Sequence, residues 1–266
     1  MIAYNFFDAH NHLADRQFDG SRKVVLSECA ALGIVCVVNS TRPSDWPRVS
    51  ELASTSASII PTYGVHPWFA LEGSKLALQQ LRELLLDRTS TVGEIGLDYS
   101  RRDVDRVLQK SLFTAQLSIA AYLNRCVSIH CVKAWGDMMA LLRGNDRPQC
   151  GFLLHSFKGP VDSIAPLARL GAYFSIAESN FPPNDENKEA MTRRLAVLRA
   201  IPGDRLLLET DATGDTSANG ITGTVVPSSL VSLYHRVALL RGENREKMQH
   251  EINENAARLF GVIDQG

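Results

Sequence analysis

The sequence predicts an α/β protein in which eight parallel strands close into a (β/α)8 barrel of the TIM type, formed by residues 1–266 as a single domain. Three observations support this prediction. Short apolar runs alternate with longer amphipathic stretches, no linker rich in Pro, Gly or Ser divides the chain, and one barrel commonly takes about 250 residues. An open doubly wound sheet is the alternative, but its glycine-rich phosphate loop does not follow the first apolar run.

The predicted strands are short runs rich in Val, Ile, Leu or Phe, as expected for strands buried on both faces of a parallel sheet. In chain order they are Phe6–Ala9, Ile34–Asn39, Ile59–Val65, Val92–Leu97, Cys126–Ile129, Gly151–Leu154, Ala172–Ile176 and Leu206–Leu208.

Amphipathic stretches between these runs predict helices. The clearest extends from Val104 to Leu123, where apolar residues recur at steps of four, four, three, four and four. We also expect helices at Ser21–Leu32, at Leu76–Leu86, from Pro182 and Pro183 through Leu198, and at Glu246–Phe260.

Composition limits the classes of function. The net charge of −1 offers no broad cationic field for coating DNA or an anionic membrane, although an enzyme could still grip a few phosphates locally. The five cysteines form no C-x-x-C pair, which favours reduced thiols in a cytosolic protein. Because we find neither a leader pattern nor a long apolar run, we expect a cytoplasmic protein without a membrane span or an obligate protein partner.

Polar residues occur at the ends of the predicted strands. In a parallel barrel these ends open at one mouth, where the active site is expected. His10 and His12 are two residues apart, so in a strand their imidazoles point to the same side and can coordinate one metal ion. Burying many titratable groups is costly unless they are paired or bound to metal. The group consists of His10, His12, His66, Glu94, His130, His155 and Asp211.

Several of these residues lie in longer motifs. The motifs are Phe7–Leu13 (FDAHNHL), Tyr63–Pro67 (YGVHP), Val92–Tyr99 (VGEIGLDY), Phe113–Leu117 (FTAQL), Ile129–His130, Leu154–Gly159 (LHSFKG), Arg205–Asp211 (RLLLETD) and Asn255–Phe260 (NAARLF). In these motifs and in their order, the chain resembles the TatD-related metal-dependent hydrolases of the amidohydrolase superfamily, which are often described as deoxyribonucleases. The resemblance extends over essentially the whole chain.

The resemblance implies two divalent metal ions and a phosphodiester substrate, such as single-stranded DNA. It also implies that His66 contacts a substrate phosphate and that Asp211 accepts a proton from the attacking water. The mixed nitrogen and oxygen ligands suit Zn²⁺ or Mn²⁺, or Mg²⁺ with added waters. The implied ligands are His10, His12 and Asp211 for the first ion, His130 and His155 for the second, and Glu94 as the bridge.

The sequence departs from the family at the rim of the expected pocket. After Asp211 the family continues with Ser-Pro and an aromatic residue, whereas this chain continues with 212–215 (ATGD), and the family's later Arg-Gly and Asn-x-Pro elements have no clear counterpart in 216–227. Two residues after His130, Val132 replaces the family's Arg. We expect Lys133 and Trp68 to contact substrate, Trp68 by stacking on a base. Lys158 and Arg101 are further sources of positive charge.

Two other functions remain open at this stage. One is an amidohydrolase-type enzyme that cleaves an ester, lactone or amide. Glu94 stands where many two-metal members of that superfamily carry a carboxylated Lys, which favours the TatD-like group. The other is a non-catalytic barrel, although none of the six expected ligands is missing. Cys131, beside His130, is a weaker candidate as a nucleophile.

Overall fold

The computed structural model describes residues 4–86, 90–181, 188–212 and 226–261. Within these ranges eight parallel strands form one sheet in the order β1 to β8, so each strand lies beside its neighbours in sequence. The predicted TIM-type barrel is therefore confirmed, whereas the boundaries of a single domain at 1–266 stay a prediction. The strands are β1 (Phe6–Asn11), β2 (Ile34–Asn39), β3 (Ile59–Tyr63), β4 (Thr91–Asp98), β5 (Val127–Val132), β6 (Phe152–Leu154), β7 (Ala172–Ile176) and β8 (Leu206–Leu208).

The α-helices of the described ranges alternate with the strands, and two of them follow β8. None of them is long and apolar enough to cross a membrane. The helix onset predicted at Pro182 and Pro183 lies outside the described residues. The helices are α1 (Arg22–Leu32), α2 (Trp46–Thr55), α3 (Lys75–Leu84), α4 (Arg106–Leu123), α5 (Trp135–Gly144), α6 (Ile164–Arg169), α7 (Lys188–Ala200), α8 (Leu230–Arg241) and α9 (Arg245–Phe260).

Some strand ends differ from the prediction. β1, β4 and β5 continue beyond their apolar runs, because the polar residues there still pair in the sheet; the carboxyl end of β4, for example, pairs with β5 as far as Asp98 and Val132. β3 ends earlier, at Tyr63 instead of Val65. Side chains satisfy the backbone beyond that point, since Ser40 Oγ accepts from Gly64 N and Gln116 Oε1 accepts from Val65 N.

Backbone and side-chain hydrogen bonds join β8 to β1 at the mouth of the barrel. Asp211 N donates to His10 O at 3.0 Å, and His12 N donates to Ala212 O at 2.9 Å. The buried Asp8 carboxylate accepts from Thr210 N at 2.8 Å and from Thr210 Oγ1 at 2.6 Å. This seam places the segment after β8 directly beside His10 of β1 and His12, which follows the strand.

Two glutamines of α4 fix the ends of two strands. Gln109 accepts from Asp98 N at 2.8 Å and donates to Asp98 O at 3.0 Å. Gln116 makes the same pair of bonds with Val65, at 2.8 and 3.1 Å. Because the two glutamines are seven residues apart, they lie on one face of the helix. One helix face therefore holds the backbone next to His66 and the carboxyl end of β4.

Candidate metal centre

Glu94 lies at the centre of the polar cluster. It projects from β4 and is 3% exposed. Its Oε1 atom lies 2.8 Å from His130 Nδ1 and 2.8 Å from His155 Nε2. Its Oε2 atom lies 3.5 Å from His10 Nε2 and 3.3 Å from His12 Nε2. The two oxygens of one buried carboxylate thus face two different pairs of imidazoles.

We call the first group, His10, His12 and Asp211, the aspartate half. The His10 and His12 Nε2 atoms are 3.1 Å apart. Asp211 Oδ1 lies 3.9 Å from His10 Nε2 and 3.7 Å from His12 Nε2, and the Asp211 side chain is 27% exposed. Asp211 has a positive φ of 48°, a region that Asp and Asn tolerate better than most residues. The aspartate half therefore includes the most accessible carboxylate of the cluster.

The second group, His130 and His155, we call the histidine half. Its facing nitrogens, His130 Nδ1 and His155 Nε2, are 3.1 Å apart. Close contact between β4 and β5 brings His130 to Glu94, since Gly96 of β4 pairs with His130 of β5. A Cβ at Gly96 would lie 2.0 Å from the His130 carbonyl oxygen. Glycine at position 96 is therefore required for the distance between Glu94 and His130.

The second ring nitrogen of each histidine has its own partner outside the cluster. His10 Nδ1 lies 2.8 Å from Ser128 Oγ, and His12 Nδ1 lies 3.2 Å from the Asn39 carbonyl oxygen. His130 Nε2 contacts Asp98 Oδ2 at 3.2 Å, and His155 Nδ1 contacts Glu209 Oε1 at 3.4 Å. Carbonyl and ionised carboxylate oxygens only accept hydrogen bonds, so His12, His130 and His155 donate outward. Their remaining nitrogens face Glu94, where each can hold either a proton or a metal ion.

This arrangement concentrates acceptors in a buried space and fits divalent cations. Burial opposes ionisation of Glu94, yet the facing imidazoles hold its pKa well below the ordinary range. Burial, together with His155, lowers the pKa of His10 to about 3. A neutral imidazole and an ionised carboxylate are the forms that bind metal. The combinations His10–His12–Asp211, His10–Glu94–His155 and His66–Glu94–His130 each bring three ligand atoms within 4.8 Å of one another. The buried clusters thus suggest divalent metal binding.

His66 lies beside Glu94 and the histidine half. Its Nδ1 atom accepts from Trp68 N at 3.2 Å, so the neutral ring carries its proton on Nε2, 3.5 Å from Glu94 Oε1. Burial lowers the pKa of His66 to about 4, which keeps the ring neutral near pH 7. His66 also belongs to one of the ligand combinations, but with Nδ1 bonded to Trp68 N and the proton on Nε2, its ring suits a contact with substrate oxygen.

The two expected substrate-binding residues have different surroundings. Trp68 is 42% exposed, and its Nε1 atom donates to Asp98 Oδ2 at 2.7 Å. Asp98 thereby joins a rim tryptophan to His130. Lys133 is exposed on the loop after β5 and has a φ of 54°. Its role in substrate binding stays a prediction.

The other candidates lie away from the cluster or have structural partners, except Lys158, whose ammonium interacts electrostatically with Asp211 and Glu209. Burial raises the pKa of the Cys131 thiol to about 12, which argues against a nucleophilic thiolate. Arg101 pairs with Asp103 at 2.6 Å and lies over the Trp68 ring at 5.3 Å. Lys158 is exposed. The altered segment 213–225 lies outside the described residues.

Sequence reasoning did not identify the residues that orient the histidines. Ser128, Asp98 and Glu209 all lie within or next to strands that the prediction had located. Asp98 and Glu209 belong to motifs quoted above, GLD and ETD, and an acid inside an apolar run was the pattern that identified Glu94. The same pattern could have identified both. The Asn39 carbonyl is a backbone group and has no counterpart in the pattern of side chains.

Comparison with known proteins gives a consistent result. The family model of the TatD related DNases matches residues 7–261. The 3'-5' ssDNA/RNA exonuclease TatD of Pantoea vagans is 31% identical over 96% of this chain and 98% of its own length. The crystal structure of the TatD homologue YjjV from Escherichia coli has a TM-score of 0.86, with 27% identity over 99% of this chain and 100% of that one. A lactonase from Listeria monocytogenes has a TM-score of 0.64 at 14% identity, covering 96% of this chain and 94% of that chain, which shows the shared fold alone.

Proposed function

Because the chain belongs to the family of TatD-related DNases, we propose that it is a two-metal phosphodiesterase that hydrolyses single-stranded nucleic acid. Its relatives are named as exonucleases and metal-dependent hydrolases, and the chain is a hydrolase of that kind. The observation that supports two ions is that the two carboxylate oxygens of Glu94 face different pairs of histidines. Oε1 faces His130 and His155, and Oε2 faces His10 and His12.

In this proposal the aspartate half would hold one ion, the histidine half would hold the other, and Glu94 would be a ligand to both. Zn²⁺, Mn²⁺ and Mg²⁺ are the candidates for both positions. When bound, the ions supply Lewis acidity, which lowers the pKa of water and neutralises charge on the phosphate. The buried histidines are held in place by their outer partners, so the ligand atoms need little rearrangement to bind.

The protein's own groups then accept a proton and contact the substrate. Asp211, as the most accessible carboxylate of the cluster, accepts the proton of the attacking water. His66, with its proton on Nε2, donates a hydrogen bond to a non-bridging phosphate oxygen as negative charge develops there. Trp68 stacks on a base at the rim, and Lys133 adds positive charge beside the strand end that carries His130.

An Asp211→Asn variant tests this proposal. Asn keeps the size of the side chain and tolerates the positive φ at this position, so the fold should be retained. Removing a general base commonly costs about 10²- to 10⁴-fold in turnover. We expect a loss in that range when single-stranded DNA is digested with Mn²⁺ or Mg²⁺ and the products are measured.

The matched control is Asp204→Asn, which changes an exposed acid before β8. Metal analysis of the purified wild-type protein should find up to two ions per chain. Full metal-dependent hydrolysis by Asp211→Asn would contradict the role of Asp211. Wild-type activity on a panel of esters and lactones, with none on DNA, would favour the amidohydrolase alternative instead.

A further inference from the structure

A cleft opens beside the aspartate half. It has a volume of about 380 Å³ and is lined in part by His12, Asn39, Arg16, Arg42 and Arg48, and we call it the arginine cleft. Its volume lies within the usual range of about 300–1,000 Å³ for small-ligand pockets and suits one nucleotide unit. Because His12 belongs to both the cleft and the metal centre, a ligand in the cleft would be continuous with a phosphate at the metal ions.

The protein holds two of the three guanidinium groups in position. Arg42 lies over the Phe69 ring at 3.8 Å and reaches Glu72 only at 4.0 Å. Arg48 donates from one nitrogen to Ala14 O at 3.3 Å and to Asp19 Oδ1 at 2.9 Å. Stacked or anchored arginines lose little further freedom when they bind, and the planar fork of a guanidinium matches the oxygens of a phosphate.

The acids of the cleft are engaged by neighbouring backbone groups. Asp45 Oδ2 accepts from Thr41 N at 3.0 Å, from Thr41 Oγ1 at 2.8 Å and from Arg42 N at 3.2 Å. Asp15 Oδ1 accepts from Gln17 N at 2.8 Å. These hydrogen bonds fix the two loops that carry Arg16 and Arg42. Among the residues that line the cleft there are three arginines and two acids. Asp19 pairs with Arg48 at 2.9 Å from outside the lining, whereas Glu72 reaches Arg42 only at 4.0 Å, so Arg16 and Arg42 are the guanidinium groups most available to an anion.

We propose that the arginine cleft binds a second phosphate of the substrate, the one next to the phosphodiester that is cleaved. This inference rests on the proposed function and specifies its substrate class: a diester that carries a neighbouring phosphate on the side of His12. A diester with a single phosphate leaves the arginines of the cleft without a ligand.

Three thymidine dinucleotides test the inference. One contains only the internal phosphodiester, the second adds a 5′-phosphate, and the third adds a 3′-phosphate. We expect the wild-type protein to hydrolyse one of the phosphorylated dinucleotides with a kcat/KM about tenfold or more above that of the unphosphorylated one. Arg42→Gln should reduce this ratio to about one.

Arg82→Gln is the matched control, because Arg82 lies over the Tyr122 ring at 4.8 Å on α3, outside the residues that line the cleft. It should retain the wild-type ratio. Should Arg42→Gln fail to fold, Arg16→Gln provides the same measurement at an exposed position. Equal kcat/KM for all three dinucleotides in the wild type, or an unchanged ratio in the folded cleft variant, would overturn the inference while leaving the proposed function intact. A wild-type protein that digests single-stranded DNA but hydrolyses none of the dinucleotides would also overturn the inference alone, and one that hydrolyses neither kind of substrate would overturn both.

Discussion

The two halves of the centre share Glu94 but differ in what supports their histidines. In the aspartate half, the outer partners of His10 and His12 are neutral oxygens, from the Ser128 hydroxyl and the Asn39 backbone. In the histidine half, the outer partners of His130 and His155 are the carboxylates of Asp98 and Glu209. A carboxylate partner makes an imidazole a more basic ligand than a neutral partner does.

The pKa values of the four histidines do not divide between the two halves in the same way. Burial opposes the charged form of His155, but Glu94 and Glu209 raise its pKa well above the ordinary value. Burial also opposes the charged form of His130, whose pKa Asp98 and Glu94 raise. His10 has its pKa lowered to about 3, mainly by burial. Glu94 and Asp211 likewise raise the pKa of His12 against the effect of burial. The difference between the halves therefore lies in the charge of their outer partners and in the accessible carboxylate of Asp211.

The largest effect should come from removing the group common to both halves. In Glu94→Gln the amide keeps the shape of the side chain but cannot carry the charge that faces two pairs of imidazoles. We expect turnover on single-stranded DNA to fall by about 10³-fold or more, and the metal content to fall with it. The control is Glu189→Gln, an exposed acid on α7 whose side chain is 82% exposed. Normal metal content in Glu94→Gln would refute a bridging role.

Substitution of the outer partners should change the metal affinity of one half at a time. Asp98→Asn should weaken the affinity of the histidine half for metal by about 10- to 100-fold, because it removes a carboxylate that supports His130. Ser128→Ala should weaken the aspartate half by a smaller factor, since the lost partner is neutral. Titration against a chromophoric chelator measures both affinities. A larger loss in Ser128→Ala than in Asp98→Asn would contradict the comparison.

The smallest expected effect is the difference between the two sites in the wild-type protein. Carboxylate support predicts that the histidine half binds its ion about tenfold or more tightly. Stepwise addition of EDTA should therefore remove one ion before the other. Turnover should be lost with the first ion, because that ion belongs to the half that contains Asp211. Simultaneous release of both ions would show that Glu94 couples the sites more strongly than their outer partners separate them.

The barrel could be predicted from the sequence because its strands are buried on both faces and form near-continuous apolar runs. All six residues of β2, for example, are buried. Short helices were harder to recognise. α6 has only six residues and includes Pro166, so too few turns remain to show a helical period.

The candidate site was predictable to the extent that its side chains follow apolar runs or, for Glu94, lie inside one. His10, His12, Glu94, His130, His155 and Asp211 were identified in this way, and the structure brings them together, while their roles as ligands stay a prediction. The arginine cleft escaped prediction because its arginines, two before or between helices and one on α2, resemble ordinary surface residues in the sequence. Only the fold shows that Arg16, Arg42 and Arg48, which follow two different strands, line one cleft beside His12.

The seam between β8 and β1 has a consequence for synthesis of the protein. Asp8 and His10 form hydrogen bonds with Thr210 and Asp211, which are added to the growing chain some two hundred residues later. A ribosome-bound chain that has not reached Asp211 lacks the carboxylate of the aspartate half. Because completion of the centre depends on one of its last strands, the proposed ligand set of the aspartate half is complete only when the barrel is nearly finished.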